Sequence, residues 1–509
     1  MAKFNGAGVK TATKGFTGTI DQQVINHNGG TGFLRDEKSE LFLATVSTFL
    51  EDKFYESGAD RQNRIGKLAA KVAINDSVWI TNFVTWLRGE GNIRSAAIVV
   101  ALESADAMVK AGIPGARAVV SAALQRADEP GEAIAYWHAN KGRKMPSAVK
   151  RGIADAIARL YNEYSIAKYN SSNSSVSLKD AIALTHPKPV DDHQSLVFKY
   201  VNERAFDPKT EVPSGLTQLQ NRQKLMSLPE DELRCLLSSE KGMQSVKDAG
   251  LTWEAVAGKV GLSKEIWTSL APSIGYMALL RNLRNFLDNG VDLKDVLARL
   301  SDPQQVAKSR QLPFRFYSAY KQVGNNLKVA SALEDALDIS LANIPELPGR
   351  TLIMVDCSGS MYYNSDKSGA SFMEKAAIFG SALALRAENA KLVGYGTSHS
   401  EISYRKGDSI LTTTKKFRDM GGTFTARVLQ KLTHTEKYDR VIIITDEQTS
   451  DSFTDLPGGT PLYTWNLHGY SSGHEIGKGK YTFGGLTDNS FRMISLLENG
   501  RDAVWPWAE

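Results

Sequence analysis

The sequence predicts an α plus α/β chain, in which a long train of helices precedes a doubly wound, mostly parallel sheet. From Leu34 to about Ile344, apolar residues recur at three-to-four spacing and alternating strand patterns are absent, which is typical of helices. From about Arg350, short β-branched apolar runs alternate with helical segments. Continuously apolar strands between helices favour a parallel sheet covered on both faces.

Composition and charge indicate several soluble domains with an uneven charge distribution. The chain has 509 residues, 42% hydrophobic and 23% charged, which is ordinary soluble usage but too long for one core. The net charge is +5, yet the residues from Glu346 onward carry 18 Lys and Arg against 19 Asp and Glu. The positive excess therefore lies in the first 345 residues. It indicates either an anionic partner or a solvated surface with extra lysines.

The cysteines and apolar runs exclude several classes of protein. Cys235 and Cys357 are the only cysteines, so a disulfide framework and a thiolate zinc site are excluded. The N-terminal residues lack the apolar core of a signal peptide. The longest apolar runs, Leu352–Val355 and Val441–Ile444, are too short to cross a bilayer. We therefore expect a cytoplasmic, monomeric protein with no membrane partner.

Three regions follow along the chain: 1–30, 31–345 and 346–509. The first is rich in Gly, Thr, Asn and Lys and is predicted to be a loosely ordered arm. In the second, Gly- and Pro-containing breaks such as Gly112-Ile113-Pro114 separate short helices, which favours a solenoid of helix pairs over a compact bundle. An apolar helix face is predicted over Leu41–Phe54. Further helices are predicted at Trp79–Leu87, Ala96–Met108, Ala116–Leu124, Ala148–Tyr164, Leu196–Val201, Leu279–Leu287 and Phe314–Tyr320.

In the third region, strands and helices alternate. Ser371 and Glu374 have the spacing of a capping box at the start of its first helix. The predicted strands are Thr351–Val355, Lys391–Tyr395, Glu401–Arg405, Val441–Ile444, Leu462–Trp465 and Tyr481–Phe483. The predicted helices are Phe372–Asn389, Ala426–Leu432 and Asn489–Glu498.

Polar residues follow the ends of two predicted inner strands and occupy a third loop. Open α/β sheets bind ligands at the carboxyl ends of their strands, so these loops are expected to converge. Their carboxylates and hydroxyls make an all-oxygen set that suits a divalent cation, and Mg²⁺ in particular. A water or a partner's carboxylate could complete the shell. The alternative is that they are ordinary turn residues. The predicted ligands are Asp356, Ser358, Ser360, Thr423 and Asp446.

The Asp356-Cys357-Ser358-Gly359-Ser360 segment, with its two partner loops, resembles the metal-ion-dependent adhesion site of von Willebrand A-type domains. The resemblance covers Arg350 to the end of the sequence. It implies a Rossmann-like domain that binds partners through its metal and is not a hydrolase.

Eight segments of the helical region form a set in a fixed order: Ala148–Asp155, Leu160–Glu163, Lys168–Tyr169, Leu178–Asp180, Leu184–Pro189, Ala278–Leu283, Leu312–Phe314 and Tyr320–Lys321. In sequence and order they resemble the TROVE-module proteins of the Ro autoantigen family and its bacterial orthologues. The family order, a helical module followed by a von Willebrand A-type domain, is also the order predicted here. The resemblance implies a ring of HEAT-like repeats around a central hole. Y-type small RNAs would bind outside the ring, and single-stranded 3′ ends of misfolded RNAs would enter it.

Candidate RNA-binding residues come from both arguments. Lys150 and Arg151 fall off the apolar stripe of their helix, so they face outward and can bind phosphate or simply be solvated. The resemblance implies an RNA contact for Lys168 and His186, although the imidazole before Pro187 could instead cap its helix. Where the family has a second basic residue beyond Lys168, this chain has the polar run Asn170–Ser175. The candidate set also includes Tyr169, for base stacking, and Lys188, Arg281 and Arg284. Tyr161 is expected in the core.

These features predict a non-catalytic RNA-binding protein of non-coding RNA quality control, acting with an exoribonuclease. An alternative is a metal-dependent protein adaptor in which RNA has no part. An enzyme is disfavoured because the basic half lacks a paired-carboxylate cluster and the Ser/Thr-rich site offers a poor base. His434, His468 and His474 are scattered singly and are expected at the surface.

Overall fold

A computed structural model describes most of the chain. The described residues are 18–47, 55–169, 175–239, 241–323, 325–342, 344–362, 370–452, 459–474, 479–485, 487, 491–498 and 505–507. No helix among them is long and apolar enough to span a membrane.

The front of the chain is a train of helices, as predicted. They are α1 Glu37–Val46, α2 Gly58–Asn75, α3 Ser77–Arg88, α4 Ser95–Lys110, α5 Ala116–Ala123, α6 Glu129–Lys141, α7 Ser147–Leu160, α8 Glu163–Tyr169, α9 Leu178–Thr185, α10 Asp192–Phe206, α11 Thr217–Ser227, α12 Glu230–Leu237, α13 Gly242–Asp248, α14 Trp253–Val260, α15 Lys264–Leu270, α16 Tyr276–Arg281, α17 Leu283–Asp288, α18 Lys294–Leu300, α19 Pro303–Ser309, α20 Pro313–Val323 and α21 Leu327–Ser340.

Two predicted helices are interrupted. The helix predicted over Ala148–Tyr164 is divided between α7 and α8, with Tyr161 in an extended conformation. The helix predicted over Leu279–Leu287 is divided at Asn282, whose side-chain amide donates to the Ala278 carbonyl at 2.9 Å. A short polar side chain that bonds the backbone in this way competes with the helical hydrogen bonds.

Helices near each other in sequence pack in succession: α2 packs on α4, α4 on α5, α5 on α7 and α7 on α9, and near the other end of the train α20 packs on α21. The α/β module closes the array, because it contacts both α1 and α20. At the α20 contact, Lys321 donates to Glu374 at 2.8 Å. At the α1 end, Trp505 and Trp507 stack on each other at 5.5 Å between ring centroids. Trp505 lies 5.6 Å from the ring of Phe42.

The α/β module contains strands β3 Leu347–Asp356, β4 Ala387–Tyr395, β5 His399–Glu401, β6 Arg440–Thr445, β7 Leu462–Asn466, β8 Ser472–Gly473 and β9 Lys480–Gly484, and helices α22 Phe372–Arg386, α23 Ile410–Thr414, α24 Thr425–Thr435 and α25 Arg492–Glu498. The six-stranded sheet has the order β5-β4-β3-β6-β7-β9, and only the β4–β5 pair is antiparallel. The predicted capping box forms at the start of α22. That helix ends earlier than predicted, because residues 387–389 already belong to β4.

The expected loosely ordered arm is wrong for residues 18–30. Strand β1 (Gly18–Ile25) and strand β2 (Thr31–Arg35) form an antiparallel hairpin, and β2 pairs with β8 of the α/β module. Residues 1–17 lie outside the described part of the chain. The N-terminal hairpin (18–35) therefore belongs structurally to the C-terminal module, although the helical train separates the two in sequence.

Candidate functional site

The predicted cation ligands lie at the carboxyl edge of the central strands. After β3 the chain passes through α22 to β4 on one side of β3, then through α24 to β6 on the other side. The reversal makes a crevice between the ends of β3 and β6, the usual place for a ligand in such sheets. Asp356 ends β3, and Asp446 follows β6 directly. The third loop is held there because Met420 N–H donates to the Cys357 carbonyl and Gly359 N–H to the Gly421 carbonyl, both at 3.0 Å.

Four of the five predicted ligands share one hydrogen-bond network. Ser360 Oγ donates to Asp446 Oδ2 at 2.7 Å, and the hydroxyls of Ser358 and Ser360 are 3.4 Å apart. Ser358 N–H donates to Asp356 Oδ1 at 2.9 Å. Thr423 is also buried, and its hydroxyl has no hydrogen-bond partner among the residues described. The three loops thus bring the five side chains to one edge; we call this group of five the metal edge.

The electrostatics of the metal edge suit a divalent cation. Asp356 and Asp446 are both fully buried. Burial raises the pKa of Asp356, and burial together with the charge of Asp356 raises the pKa of Asp446 to about 8. Two buried carboxylates side by side need a compensating positive charge or a proton. Within the described ranges no three His, Cys, Asp or Glu side chains are grouped to hold a metal ion. A cation here would therefore depend on two carboxylates and the neighbouring hydroxyls, an oxygen set that fits Mg²⁺.

The expectation that His468 and His474 are surface residues is wrong, whereas His434 is exposed. Both His468 and His474 are fully buried. His474 Nδ1 lies 3.7 Å from Glu447 Oε1, and burial lowers the His474 pKa to about 4. Glu447 also forms a buried ion pair with Arg35. Both histidines come from the β7–β8 region, which is covered by other parts of the chain.

A second candidate site is a cavity of about 640 Å³ in the helical array. We call it the array cavity. Three of the predicted RNA-binding residues line it, namely Lys168, Tyr169 and Arg281. Its other cationic and aromatic lining residues are Arg126, Lys247, Tyr164, Trp253 and Tyr276.

Lys168 is the centre of a cation–aromatic group on the wall of the array cavity. Its Nζ lies 5.4 Å from the centroid of the Tyr164 ring and 5.1 Å from that of Tyr169. The guanidinium of Arg126 also lies near Tyr169, at 5.8 Å from the centroid of its ring. Burial lowers the pKa of Lys168, but the two tyrosines outweigh it and the net pKa is raised. The ammonium is therefore charged at neutral pH, beside rings that can also stack on bases.

The other predicted RNA-binding residues lie away from the array cavity. Arg151 is exposed on α7 and Lys150 is half-buried, whereas Val149 and Ile153 of the same helix are buried, so the predicted apolar stripe is confirmed. Tyr161 is in the core, as expected.

His186 ends α9 in the left-handed region at φ 51°, and its backbone N–H donates to the Ile182 carbonyl. Its imidazole is exposed, as is Lys188. Arg284 is exposed and lies 3.5 Å from Asp288. The Asn170–Ser175 run lies outside the described residues except for Ser175.

Sequence reasoning missed five of the eight cationic and aromatic residues that line the array cavity. Arg126, Tyr164, Trp253 and Tyr276 come from four separate parts of the helical train, and no local pattern marks them. The only available signal was an aromatic residue at a helix end, as at Trp253 and Tyr276, each the first residue of its helix.

The comparisons with known proteins agree with this architecture. Residues 131–336 match the TROVE domain family. The chain is 27% identical over 299 residues to the RNA-binding protein RO60 of Deinococcus radiodurans, covering 54% of each protein. It is 34% identical over 91 residues to telomerase protein component 1 of Mus musculus, which is 17% of this chain and 4% of that protein. The crystal structure of the Deinococcus radiodurans RO (RSR) protein aligns with a TM-score of 0.60 at 18% identity, covering 91% of this chain and 99% of that one.

The fold and the two sites define a helical-repeat array closed by an α/β module whose sheet is consistent with a von Willebrand A-type domain. Residues 131–336 are thus similar to the TROVE domain family, and the chain has the fold of the bacterial Ro structure. Its sequence match spans about half the length of the curated RO60 relative.

Proposed function

We propose that this chain binds RNA, with unpaired nucleotides in the array cavity. The observation that carries the proposal is the meeting of Arg126, Lys168, Lys247 and Arg281 with four aromatic rings around one cavity. Cations track phosphates, while aromatic faces stack on any unpaired base. The volume of about 640 Å³ lies within the range of small-ligand pockets, roughly 300–1,000 Å³. It suits a few unpaired nucleotides, whose bases are free to stack on the aromatic faces.

We assign the exterior of the array to a structured, Y-like small RNA. Lys150, Arg151, His186 and Lys188 are the candidate contacts, and three of the four are exposed. Phosphate contacts from the lysines and the arginine would position such an RNA. His186, exposed at its left-handed turn, would contact one structural feature of that RNA. The relative named an RNA-binding protein supports this assignment by similarity.

An exterior RNA and a cavity for single-stranded ends together suit non-coding RNA quality control in the cytoplasm. The protein would hold the 3′ end of a misfolded RNA, and an exoribonuclease partner would supply the cleavage. The role proposed for this chain is therefore binding without catalysis.

The metal edge would hold Mg²⁺ through Asp356, Ser358, Ser360, Thr423 and Asp446. When bound, the cation would neutralise the two buried carboxylates and leave a coordination position for water or another oxygen ligand. Serine and threonine hydroxyls are weak bases, so this edge is better suited to holding chain segments or partners than to hydrolysis.

A competition experiment tests the RNA assignment. We expect duplexes with single-stranded 3′ extensions to bind the full chain more tightly than matched blunt duplexes, because only unpaired bases can stack on the aromatic rings of the array cavity. Equal affinity for the two would exclude binding in the cavity. If no RNA copurifies with the protein at low salt and neither probe binds, the adaptor function becomes the better explanation.

A further inference from the structure

The chain's own N-terminal hairpin packs against the loop that follows the metal-edge residue Asp446. The turn of the hairpin, residues 26–30, lies against the loop that follows Asp446. Asn26 Nδ2 donates to the Thr449 carbonyl at 2.8 Å, and Asn28 Nδ2 donates to the Gln448 carbonyl at 2.6 Å. The backbone N–H of His27 donates to Gln448 Oε1 at 3.0 Å. Three successive hairpin residues thus bind two successive residues of the 446–452 loop, which follows β6.

The hairpin fits this loop closely. A Cβ added at Gly30 would collide with the Thr449 carbonyl, so the close approach requires glycine there. At the other end of the hairpin, Arg35 forms an ion pair with Glu447, and both side chains are almost completely buried. Glu447 has φ 61°, in the left-handed region that a non-glycine residue adopts only when its surroundings hold it there. A buried ion pair that loses one partner leaves an uncompensated charge, so hairpin and loop are strongly interdependent.

A short path of contacts joins the hairpin to the proposed cation ligands. Asp446 Oδ1 accepts a hydrogen bond from Gln448 N–H at 2.9 Å, so the ligand side chain fixes the backbone on which Asn28 and His27 rest. Tyr55 continues the path to the helical array. Its hydroxyl donates to Asn28 Oδ1 at 2.6 Å, and its ring stacks on His27 at 4.8 Å between centroids.

We propose that the N-terminal hairpin is a latch whose docking on the 446–452 loop is coupled to cation binding at the metal edge. The proposal rests on the metal site assigned above. The cation would fix the rotamer of Asp446 and thereby the backbone of Gln448, which is the surface that receives the hairpin. Because the hairpin leads directly into α1, cation binding would also hold the first helices of the array against the α/β module.

Coupling of this kind is reciprocal, so it can be measured from both sides. Hydrogen exchange of the full-length wild-type chain, with and without MgCl₂, reports on the hairpin. We expect Mg²⁺ to slow exchange in peptides covering residues 18–35. In the Asp446→Asn variant, which keeps the size of the side chain, Mg²⁺ should have no such effect.

Calorimetric titration with Mn²⁺, used in place of Mg²⁺, measures cation binding at the metal edge. Asn28→Ala removes the contacts to Gln448 and Tyr55, and we expect it to weaken Mn²⁺ binding by about fivefold or more, the usual lower range of coupling between sites. Gln23→Ala is the matched control, because Gln23 is exposed on β1 of the same hairpin. It should bind Mn²⁺ as the wild type does. Circular dichroism would establish that both variants are folded.

The outcomes separate the latch from the metal site beneath it. If wild-type protein binds neither ion, the proposed metal site is wrong. If it binds Mn²⁺ but exchange in residues 18–35 does not change, and Asn28→Ala binds as tightly as Gln23→Ala, the metal site stands and the latch is overturned.

Discussion

Replacing Lys168 and Arg281 together with alanine tests whether RNA phosphates enter the array cavity. Both side chains are exposed to the cavity, and alanine is a good helix former, so α8 and α16 should be preserved. Each lost contact with a single-stranded phosphate lowers the slope of log affinity against log salt by about 0.7, so the double variant should flatten it by about 1.4. Over a fourfold rise in salt, the variant would then lose about sevenfold less affinity than the wild type.

The assay is fluorescence anisotropy with a short unstructured RNA at several salt concentrations. Lys150→Ala with Arg151→Ala is the matched control, since it removes the same charge from α7, outside the array cavity. That control should keep the wild-type slope for the short probe. A wild-type slope in the cavity variant, or an equal flattening in the control, would refute the placement of the RNA strand in the cavity.

Two further predictions concern the α/β module. Asp446→Ala should abolish Mg²⁺ binding, as measured by calorimetry. Its RNA affinity in filter binding should stay unchanged, because the array cavity belongs to the helical part. A folded variant that lost RNA binding would contradict this division between the two parts. His474 should make the protein acid-sensitive, because burial lowers its pKa from the ordinary 6.5 to about 4. Its contribution to stability is therefore complete above pH 6.5 and is lost as the pH falls towards 4. The 2.5-unit difference corresponds to about 3 kcal/mol. Urea unfolding at pH 7, 5 and 4 should show this extra loss in wild type relative to His474→Asn, and parallel curves would disprove it.

The convergence of the five metal-edge side chains was predictable because its signals are local, whereas their binding of a cation stays a prediction. A continuously apolar strand followed directly by Asp356 or Asp446 marks the carboxyl end of a parallel strand, and parallel strands bring those ends together. The same reasoning explains why β3, β6 and β7 were found within a few residues of their bounds.

The hairpin could not be predicted in the same way. Residues 18–30 show little apolar alternation, and the partner of β2 is the two-residue strand β8 near the other end of the sequence. The burial of His468 and His474 has a similar cause. A single histidine in a sequence does not show which residues will bury it. Here those residues are distant in the chain: the ring centroid of Phe372 lies 4.1 Å from that of His468, and Arg35 lies near His474.

Only three of the eight cationic and aromatic residues that line the array cavity were predictable from the sequence. Lys168, Tyr169 and Arg281 were chosen through a family resemblance, and the structure brings these three to one cavity while leaving the other five outside it. The lining residues come from helices far apart in the chain, so their meeting depends on how successive helices pack on one another, which leaves no periodic mark in the sequence.

The tryptophan pair near the end of the chain affects how the protein is made. Trp505 packs against Phe42 and Trp79, whose ring centroids lie 5.6 and 5.0 Å away, although these residues are near opposite ends of the sequence. A ribosome adding roughly 5–20 residues per second would need about 20–90 seconds to pass from one to the other. During that time the aromatic face of the first helices stays uncovered and the array stays open. The nascent protein therefore cannot enclose a strand in a closed array before Trp505 has been added, and fast packing between neighbouring helices would limit aggregation in the interval.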